Sequence, residues 1–532
     1  MKSSEPQPGF GGAESLLSAR ALAAQALSRT AGAPLIEGNG VRLLRDAREN
    51  YPAWLEAIAA ARQWIHFENY IFREDKTGAM FAQALIARAR AGVKVRVIYD
   101  WMGGFGRTSR KFWARLREAG IEVRCYNPPR LDAPLGWVSR DHRKTLAVDG
   151  AVAFVTGLCV GQMWAGDPEK NIQPWRDTGI EVKGPAVAEI AHAFAQVWAS
   201  LGAPLPAALA EVEKPAAPAG SVAMRIVATV PATAGILRLD QLVAALATER
   251  VWLTDAYYAG TPTYAQALMA AARGSVDVRL LVPGASDIAL VKSISRAGFR
   301  PLLEAGVRIF EWNGTMLHAK TAVADSRWAR VGSTNLNVAS WLGNCELDAV
   351  IEDEPFALEM EDMYLEDLEN ATEIVLDAKR KLRAPGQPRV ARPSGTSGRG
   401  SAGRVAAGTI RISNALGAAF TGRRTLEPVE ARLTAMGGGL LLALAALIAF
   451  LPRLLSYPIV FVLTWIALTL LIRSIRLYRL RKTQQNLIAE ASSPPSTDLT
   501  RTKLDLPIGG RAGASVPVAD VAGQKIRERS AD

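Results

Sequence analysis

Cysteine and histidine are both scarce in this 532-residue chain. The three cysteines, Cys125, Cys159 and Cys345, stand far apart, which excludes a disulfide framework and a CxxC-type zinc site and points to a reducing compartment. The stretch from Met1 to Arg29 has no continuous apolar run behind a basic start, so no signal peptide is expected. Acidic residues are outnumbered, 51 Asp plus Glu against 63 Lys plus Arg, for a formal net charge of +12. Such a balance suits a partner of negative charge, either nucleic acid or a surface rich in acidic lipid. The α/β part of the chain lacks a basic stripe with interleaved aromatics, the mark of a nucleic-acid groove, and this absence favours lipid.

Two of the four histidines occupy matched positions. His142-Arg143-Lys144 leads to Asp149, and His318-Ala319-Lys320 leads to Asp325, so both stretches read HxKxxxxD. The first continues through Thr156-Gly157-Leu158-Cys159 and the second through Gly332-Ser333-Thr334-Asn335. On a strand, residues i and i+2 share a face, so the His and Lys of each stretch project into one pocket. Imidazole can attack phosphorus or move a proton near neutral pH, and ammonium neutralises phosphate oxygens. One copy alone reads as a strand edge with mixed polar residues. Two copies face to face supply one histidine for attack and another for protonating the leaving oxygen.

Around these stretches, hydrophobic period alternates between strand and helix. Strands are predicted over 41–44, 64–71, 93–99 and 121–126, with helices over 51–61, 78–91 and 112–119 between them. The series then repeats: Phe81-Ala-Gln-Ala-Leu85 ahead of Val95-Arg96-Val97 has its counterpart in Tyr264-Ala-Gln-Ala-Leu268 ahead of Val278-Arg279-Leu280. The expected fold class is α/β, with two tandem repeats, 40–203 and 221–383, packed face to face over a shared cleft. A Pro- and Ala-rich stretch, 204–220, joins them, and 1–39 is expected to be a flexible N-terminal segment.

Residues 384–432 form a basic linker of Pro, Gly, Ser and Arg. Beyond it, the apolar runs 433–451 and 454–472 are interrupted only by Pro452-Arg453, and each is long enough to cross a bilayer. A C-terminal transmembrane helical hairpin over 433–472 is expected, followed by a basic and then disordered tail, 473–532. Arg423, Arg424 and Arg432 flank one end and Arg473, Arg476, Arg479 and Arg481 the other, so both flanks are expected on the cytoplasmic side. The arginine-rich linker would then lie on anionic headgroups.

At these residues the chain resembles the phospholipase D superfamily, and within it the bacterial cardiolipin synthase-like branch. The resemblance covers roughly 40–380 and extends to the stretches Ile65-His66-Phe67-Glu68-Asn69-Tyr70-Ile71-Phe72, Pro174-Trp175-Arg176-Asp177-Thr178 and Gly184-Pro185-Ala186-Val187, and to Asn344 and Glu346. It implies a two-step phosphatidyl transfer without metal or cofactor. His142 would attack the phosphodiester and form a phosphohistidine, while His318 protonates the departing alcohol and deprotonates the incoming one. Lys144 and Lys320 would hold the non-bridging oxygens, helped by Ser333 and Asn335. Glu346 and Asp177 would accept from the other nitrogens of the histidines, and Asp149 and Asp325 would serve the site or hold its loops. With phosphatidylglycerol as donor and acceptor, the products would be cardiolipin and glycerol, made at the bacterial inner membrane by a catalytic domain facing the cytoplasm. Water as acceptor would make the protein a phospholipase D. The same residues would also suit a phosphodiesterase acting on nucleic acid or, without catalysis, a membrane lipid-binding protein.

One departure from the family pattern falls in the first repeat. Cys159 stands where the family carries Asn, and a thiol replaces an amide donor poorly, so one phosphate hydrogen bond is expected to be lost. His66 and His192 read as core or surface histidines. Glu68 and Asp100 are placed at strand ends near the cleft, Tyr257 and Tyr258 at the substrate entry, and Trp101, Trp137, Trp164 and Trp341 as interfacial anchors or core residues.

Overall fold

The computed structural model describes residues 23–129, 138–206, 216–288, 295–376 and 382–383, with scattered positions between 439 and 468. Short apolar and β-branched runs make the strands. In the first half these are β1 (Ile36–Arg45), β2 (Trp64–Asn69), β3 (Lys94–Asp100), β4 (Glu122–Tyr126), β5 (Lys144–Val148), β6 (Val152–Thr156) and β7 (Thr178–Lys183). The second half contributes β8 (Val222–Thr229), β9 (Arg250–Thr254), β10 (Asp277–Ala285), β11 (Arg308–Met316), β12 (Thr321–Ala324), β13 (Trp328–Gly332), β14 (Glu346–Glu352), β15 (Ala371–Leu376) and β16 (Leu382–Arg383).

Helices of matching amphipathic pattern cover the sheet. The first half carries α1 (Asp46–Ala60), α2 (Lys76–Arg90), α3 (Arg110–Glu118) and α4 (Ala186–Ser200). The second carries α5 (Gly235–Leu246), α6 (Pro262–Arg273) and α7 (Glu354–Glu369). Local chemistry sets several of the starts. The side chains of Asp75, Ser109, Thr261 and Asp353 each accept a backbone N–H in the first turn of α2, α3, α6 and α7, and Pro262 and Pro355 fit positions that need no N–H donor.

Among the described residues the strands form one sheet in the order β16-β15-β11-β10-β9-β12-β13-β14-β8-β1-β7-β6-β5-β2-β3-β4. Its centre is the antiparallel pair β1 and β8, and outward from there the orders β7-β6-β5-β2-β3-β4 and β14-β13-β12-β9-β10-β11 match strand for strand. The α/β repeat is therefore a structural one. The two sheet halves are also sealed by a common core: Leu43, Ala153, Ile180, Val187 and Ile190 pack in one buried cluster with Met224, Val331, Leu347, Ile351 and Met360. Each fully buried aliphatic chain in such a cluster contributes about 1.5–3 kcal/mol, so the halves are held together by a continuous apolar interior.

Within the first half, Ile65, Phe67, Leu146, Val148 and Phe154 pack with Trp54, Phe81, Phe112 and Trp113 of α1, α2 and α3. Alternate residues face the other way, where the His66 ring stacks on Phe194 of α4 at 4.4 Å.

Two expectations need correction. Residues 23–39 are structured: 23–31 are helical, Ala31 and Ala33 are buried in the core of the second half, and Ala24 O and Ser28 Oγ accept from Arg225. Helix α1 begins at Asp46, ahead of the predicted start, because its polar first turn is held by distant partners; the Asp46 carboxylate accepts from Asp177 N at 2.8 Å. Most of 384–532, including the expected hairpin 433–472 and tail 473–532, lies outside the described residues. Among the described residues no helix is long and apolar enough to cross a membrane. The chain divides into two compact units, Met1–Val462, which holds the sheet, and Leu463–Asp532, of which a few helical positions near 463–468 are described.

Candidate active site

The two HxK stretches lead directly into β5 and β12. Each is tied there by the backbone of the opposite half. His142 N–H donates to Cys345 O at 2.9 Å, and Cys345 N–H donates to Arg140 O at 2.7 Å. In the other half, His318 N–H donates to Arg176 O at 2.7 Å and Arg176 N–H to Met316 O at 3.0 Å. Cys345 and Arg176 each immediately precede a carboxylate, Glu346 and Asp177.

Those carboxylates complete the crossing. His142 Nδ1 lies 2.9 Å from Glu346 Oε2, and His318 Nδ1 lies 2.7 Å from Asp177 Oδ2. Each imidazole is thus oriented by an acid from the other repeat, with Nδ1–H as donor and Nε2 left for chemistry. Asn344 Nδ2 donates to Glu346 Oε1 at 3.1 Å, and Trp164 Nε1 donates to Asp177 Oδ2 at 3.0 Å. The shorter acid needs room: a Cβ at Gly157 would stand 2.1 Å from Asp177 Oδ1. The matching position of the second half is Ser333, whose carbonyl also lies 3.1 Å from His142 Nδ1 and whose Oγ accepts from Leu347 N at 2.9 Å.

Burial sets the ionisation. It lowers His142, and it brings His318, beside Lys320, down to about 3, so both imidazoles are neutral at ordinary pH. Burial alone would raise Glu346 and Asp177, but the facing histidines and lysines outweigh it and hold both carboxyls low. Lys320 is pushed down to about 8, mainly by burial. Both ammonium groups fold back onto their own motif, Lys144 Nζ donating to His142 O and Lys320 Nζ to His318 O. Aromatic rings stand beside both histidines. Tyr70 meets His142 edge-on at 4.8 Å with Lys144 Nζ at 5.3 Å from its centroid, and Tyr257 stands 5.9 Å from His318. Trp175 adds a tilted ring at 5.7 Å from His318.

The structure brings His142, Lys144, His318, Lys320, Glu346, Asp177 and Ser333 together. Asn335 follows Ser333, buried, with its Oδ1 lacking a hydrogen-bond partner. Asp149 and Asp325 are elsewhere. Each follows its strand, roughly 16 Å of chain beyond the lysine. Asp149 accepts from the backbone N–H groups of Arg62, Gln63 and Trp64, and Asp325 from those of Thr248, Glu249 and Arg250. They clamp the start of β2 and β9.

Cys159 is fully buried in an apolar cluster with Phe72 and Trp164, and its carbonyl accepts from Tyr51 OH at 2.6 Å. Glu68 and Asp100 do not line the cleft. Glu68 faces Thr145 and Asp141 on the α4 side, and Asp100 accepts from Met102 N, Gly103 N and Asp141 N. Trp164 and Trp341 are buried, Trp101 is half-buried, and Trp137 lies outside the described residues. Tyr257 reaches His318 whereas Tyr258 is buried against Phe299. His192 is exposed on α4.

Sequence reasoning missed Arg143. Between His142 and Lys144 it turns to the opposite face, fully buried, and donates to Glu346 O at 3.1 Å, Ala193 O at 2.7 Å and Thr229 O at 3.0 Å. The contrast with Ala319 in the second copy was the available signal. Arg176 also acts structurally, gripping Asp367 through Nε at 2.7 Å and Nη2 at 2.9 Å.

Comparison with known proteins agrees with this architecture. The family model described as "Cardiolipin synthase, PLD-like domain" matches residues 54–198 and 243–368. Cardiolipin synthase A of Pseudomonas aeruginosa is 34% identical over 364 residues, covering 68% of this chain and 73% of that protein. A cardiolipin synthase of Alkalihalophilus pseudofirmus is 30% identical over 345 residues, covering 64% and 68%. Among solved structures, the phosphatidylserine synthase of Haemophilus influenzae shares the fold, with a TM-score of 0.52 at 10% identity over 66% of this chain and 91% of that one.

Proposed function

This chain belongs to the cardiolipin synthase family of phospholipase D-like proteins, and on that premise we propose that it is a phosphatidyltransferase that makes cardiolipin and glycerol from two molecules of phosphatidylglycerol. The observation that carries the mechanism is the crossed pairing of His142 with Glu346 and His318 with Asp177. Neutral His142, its Nδ1–H held by Glu346, presents the Nε2 lone pair to phosphorus. The anionic phosphodiester lodged between Lys144 and Lys320 favours protonation of the second imidazole. As the Nε2–P bond forms and the bond to the glycerol oxygen breaks, His318 gives that oxygen its proton. His318 then takes the proton of the incoming hydroxyl, whose oxygen attacks the phosphohistidine and restores His142. The lysines neutralise the non-bridging oxygens throughout, with Ser333 and Asn335 beside them. Asp149 and Asp325 act in this scheme as strand clamps.

We further propose that the enzyme works at the cytoplasmic face of the bacterial inner membrane, anchored by a transmembrane hairpin over 433–472. The apolar runs with arginines at their outer flanks support this reading, as does the net charge of +12. So do the exposed apolar side chains beside the site. Phe105 is 64% exposed in the turn after β3, Ile172 is 46% exposed between Trp164 and Trp175, and Leu342 is 46% exposed just before Glu346. The test is expression in a bacterial strain lacking its own cardiolipin synthases, followed by lipid extraction. Cardiolipin made by the wild type and lost with His142→Ala is expected. No cardiolipin from a folded, membrane-bound protein overturns the proposal.

A further inference from the structure

The two halves agree in strand order and in both His-Lys pairs, so the positions where they differ are informative. After β13 the loop carries the amide of Asn335; at the matching place after β6 stands Cys159, fully buried among apolar neighbours. The first half therefore has no amide there.

A second difference lies on the adjacent strand. Lys144 pairs across β5 and β2 with Asn69. In the second half Thr321 pairs with Thr254, which puts Asp255 opposite Lys320. Asp255 is fully engaged: its carboxylate accepts from Leu336 N at 2.8 Å and from Tyr257 N at 3.1 Å. Asn69 is 1% exposed, and neither its Oδ1 nor its Nδ2 has a hydrogen-bond partner.

Directly opposed residues of antiparallel strands share a face, so the Asn69 amide lies on the face of Lys144 and at its level in the sheet. A buried amide with no hydrogen-bond partner is destabilising, so a group that supplies the missing partner gains from the contact. A neutral amide also leaves the positive charge of Lys144 free for an anion, as a carboxylate at this position would not.

We infer that Asn69 binds substrate, its Nδ2 donating to a non-bridging oxygen of the phosphodiester held by Lys144, and so supplies from β2 the amide that Cys159 cannot provide. The assignment rests on the phosphodiester reading of the site.

The test uses the full-length protein in detergent with orthovanadate as the oxyanion probe, measured by inhibition of phosphatidyl transfer and by binding, alongside melting temperature. Asn69→Leu removes both polar atoms. The expected result is about a tenfold weaker vanadate affinity, the effect of one charge-assisted hydrogen bond, with a melting temperature equal to or above that of the wild type, because the orphan amide is gone. A purely structural Asn69 gives the reverse, a lower melting temperature and unchanged vanadate affinity, and that result overturns the inference. Should Asn69→Leu not fold, Asn69→Asp, which installs the residue type of Asp255, is expected to weaken vanadate more strongly through charge repulsion; affinity within twofold of wild type overturns the inference. A wild-type protein that does not bind vanadate overturns the phosphodiester site itself, an outcome distinct from failure of Asn69 alone.

Discussion

His142 Nδ1 and Glu346 Oε2 stand 2.9 Å apart although they belong to different repeats, and His318 reaches back to Asp177 in the same way. Neither half is a site by itself, since each histidine depends for its tautomer on the other half. Replacing Glu346 with Gln leaves the shape but loses the anion that holds Nδ1–H. A fall in kcat of about a hundredfold or more is expected, with little change in phosphatidylglycerol binding. Steady-state kinetics on Glu346→Gln and Asp177→Asn check this.

Lys320 is expected to set the alkaline limb of activity. Burial holds its ammonium down to about 8. The charge that neutralises phosphate is present below that pH and lost above it, so kcat/KM should decline as pH rises through about 8. Since kcat/KM reports the free enzyme, the limb in kcat should lie higher, because bound anion favours the charged lysine. Lys320→Arg should remove the decline near 8, and pH profiles of both proteins decide the matter.

The aspartates of the two motifs should separate stability from chemistry. Asp149→Ala and Asp325→Ala each release three backbone N–H groups, at a cost of about 1–3 kcal/mol. Partial burial works against ionisation of Asp325, but the N–H groups of Arg250, Thr248 and Glu249 prevail and hold its carboxyl below the ordinary range. Its contribution is therefore full at neutral pH and fades as pH falls through that lowered value. Lower melting temperatures with kcat nearly unchanged are expected; a thousandfold loss of kcat in a folded variant would place these aspartates in the chemistry instead.

Arg143 should prove essential to the fold of the cleft. Arg143→Met leaves the carbonyls of Glu346, Ala193 and Thr229 without their donor, and leaves the buried Glu68 and Asp141 without its charge. A destabilisation of about 3–5 kcal/mol is expected in denaturant unfolding.

Much of this was legible in the sequence. The HxK copies, the repeated Ala-Gln-Ala-Leu helices and the strand periods revealed two α/β halves with one cleft, because local period and motif spacing report on local structure. The crossing of Glu346 to His142 was not legible: each carboxylate is closer in sequence to the histidine of its own neighbourhood, and it is the packing of one half on the other, with His142 N–H bonded to Cys345 O and His318 N–H to Arg176 O, that brings the opposite ones together. The resemblance left Asp149 and Asp325 to serve the site or hold its loops, and the strands of five and four residues that precede them decide for the loops, since each aspartate lies beyond the far end of its strand from the histidine. Arg143 and Asn69 were silent because their meaning lies in which face they take and in what fails to meet them.

The most direct measurement incubates the purified full-length protein in mixed micelles with phosphatidylglycerol labelled in its free glycerol and identifies every product. The account requires cardiolipin and free labelled glycerol in equal amounts, with no turnover in His142→Ala or His318→Ala. Phosphatidic acid in place of cardiolipin, or turnover that survives loss of either histidine, would contradict it.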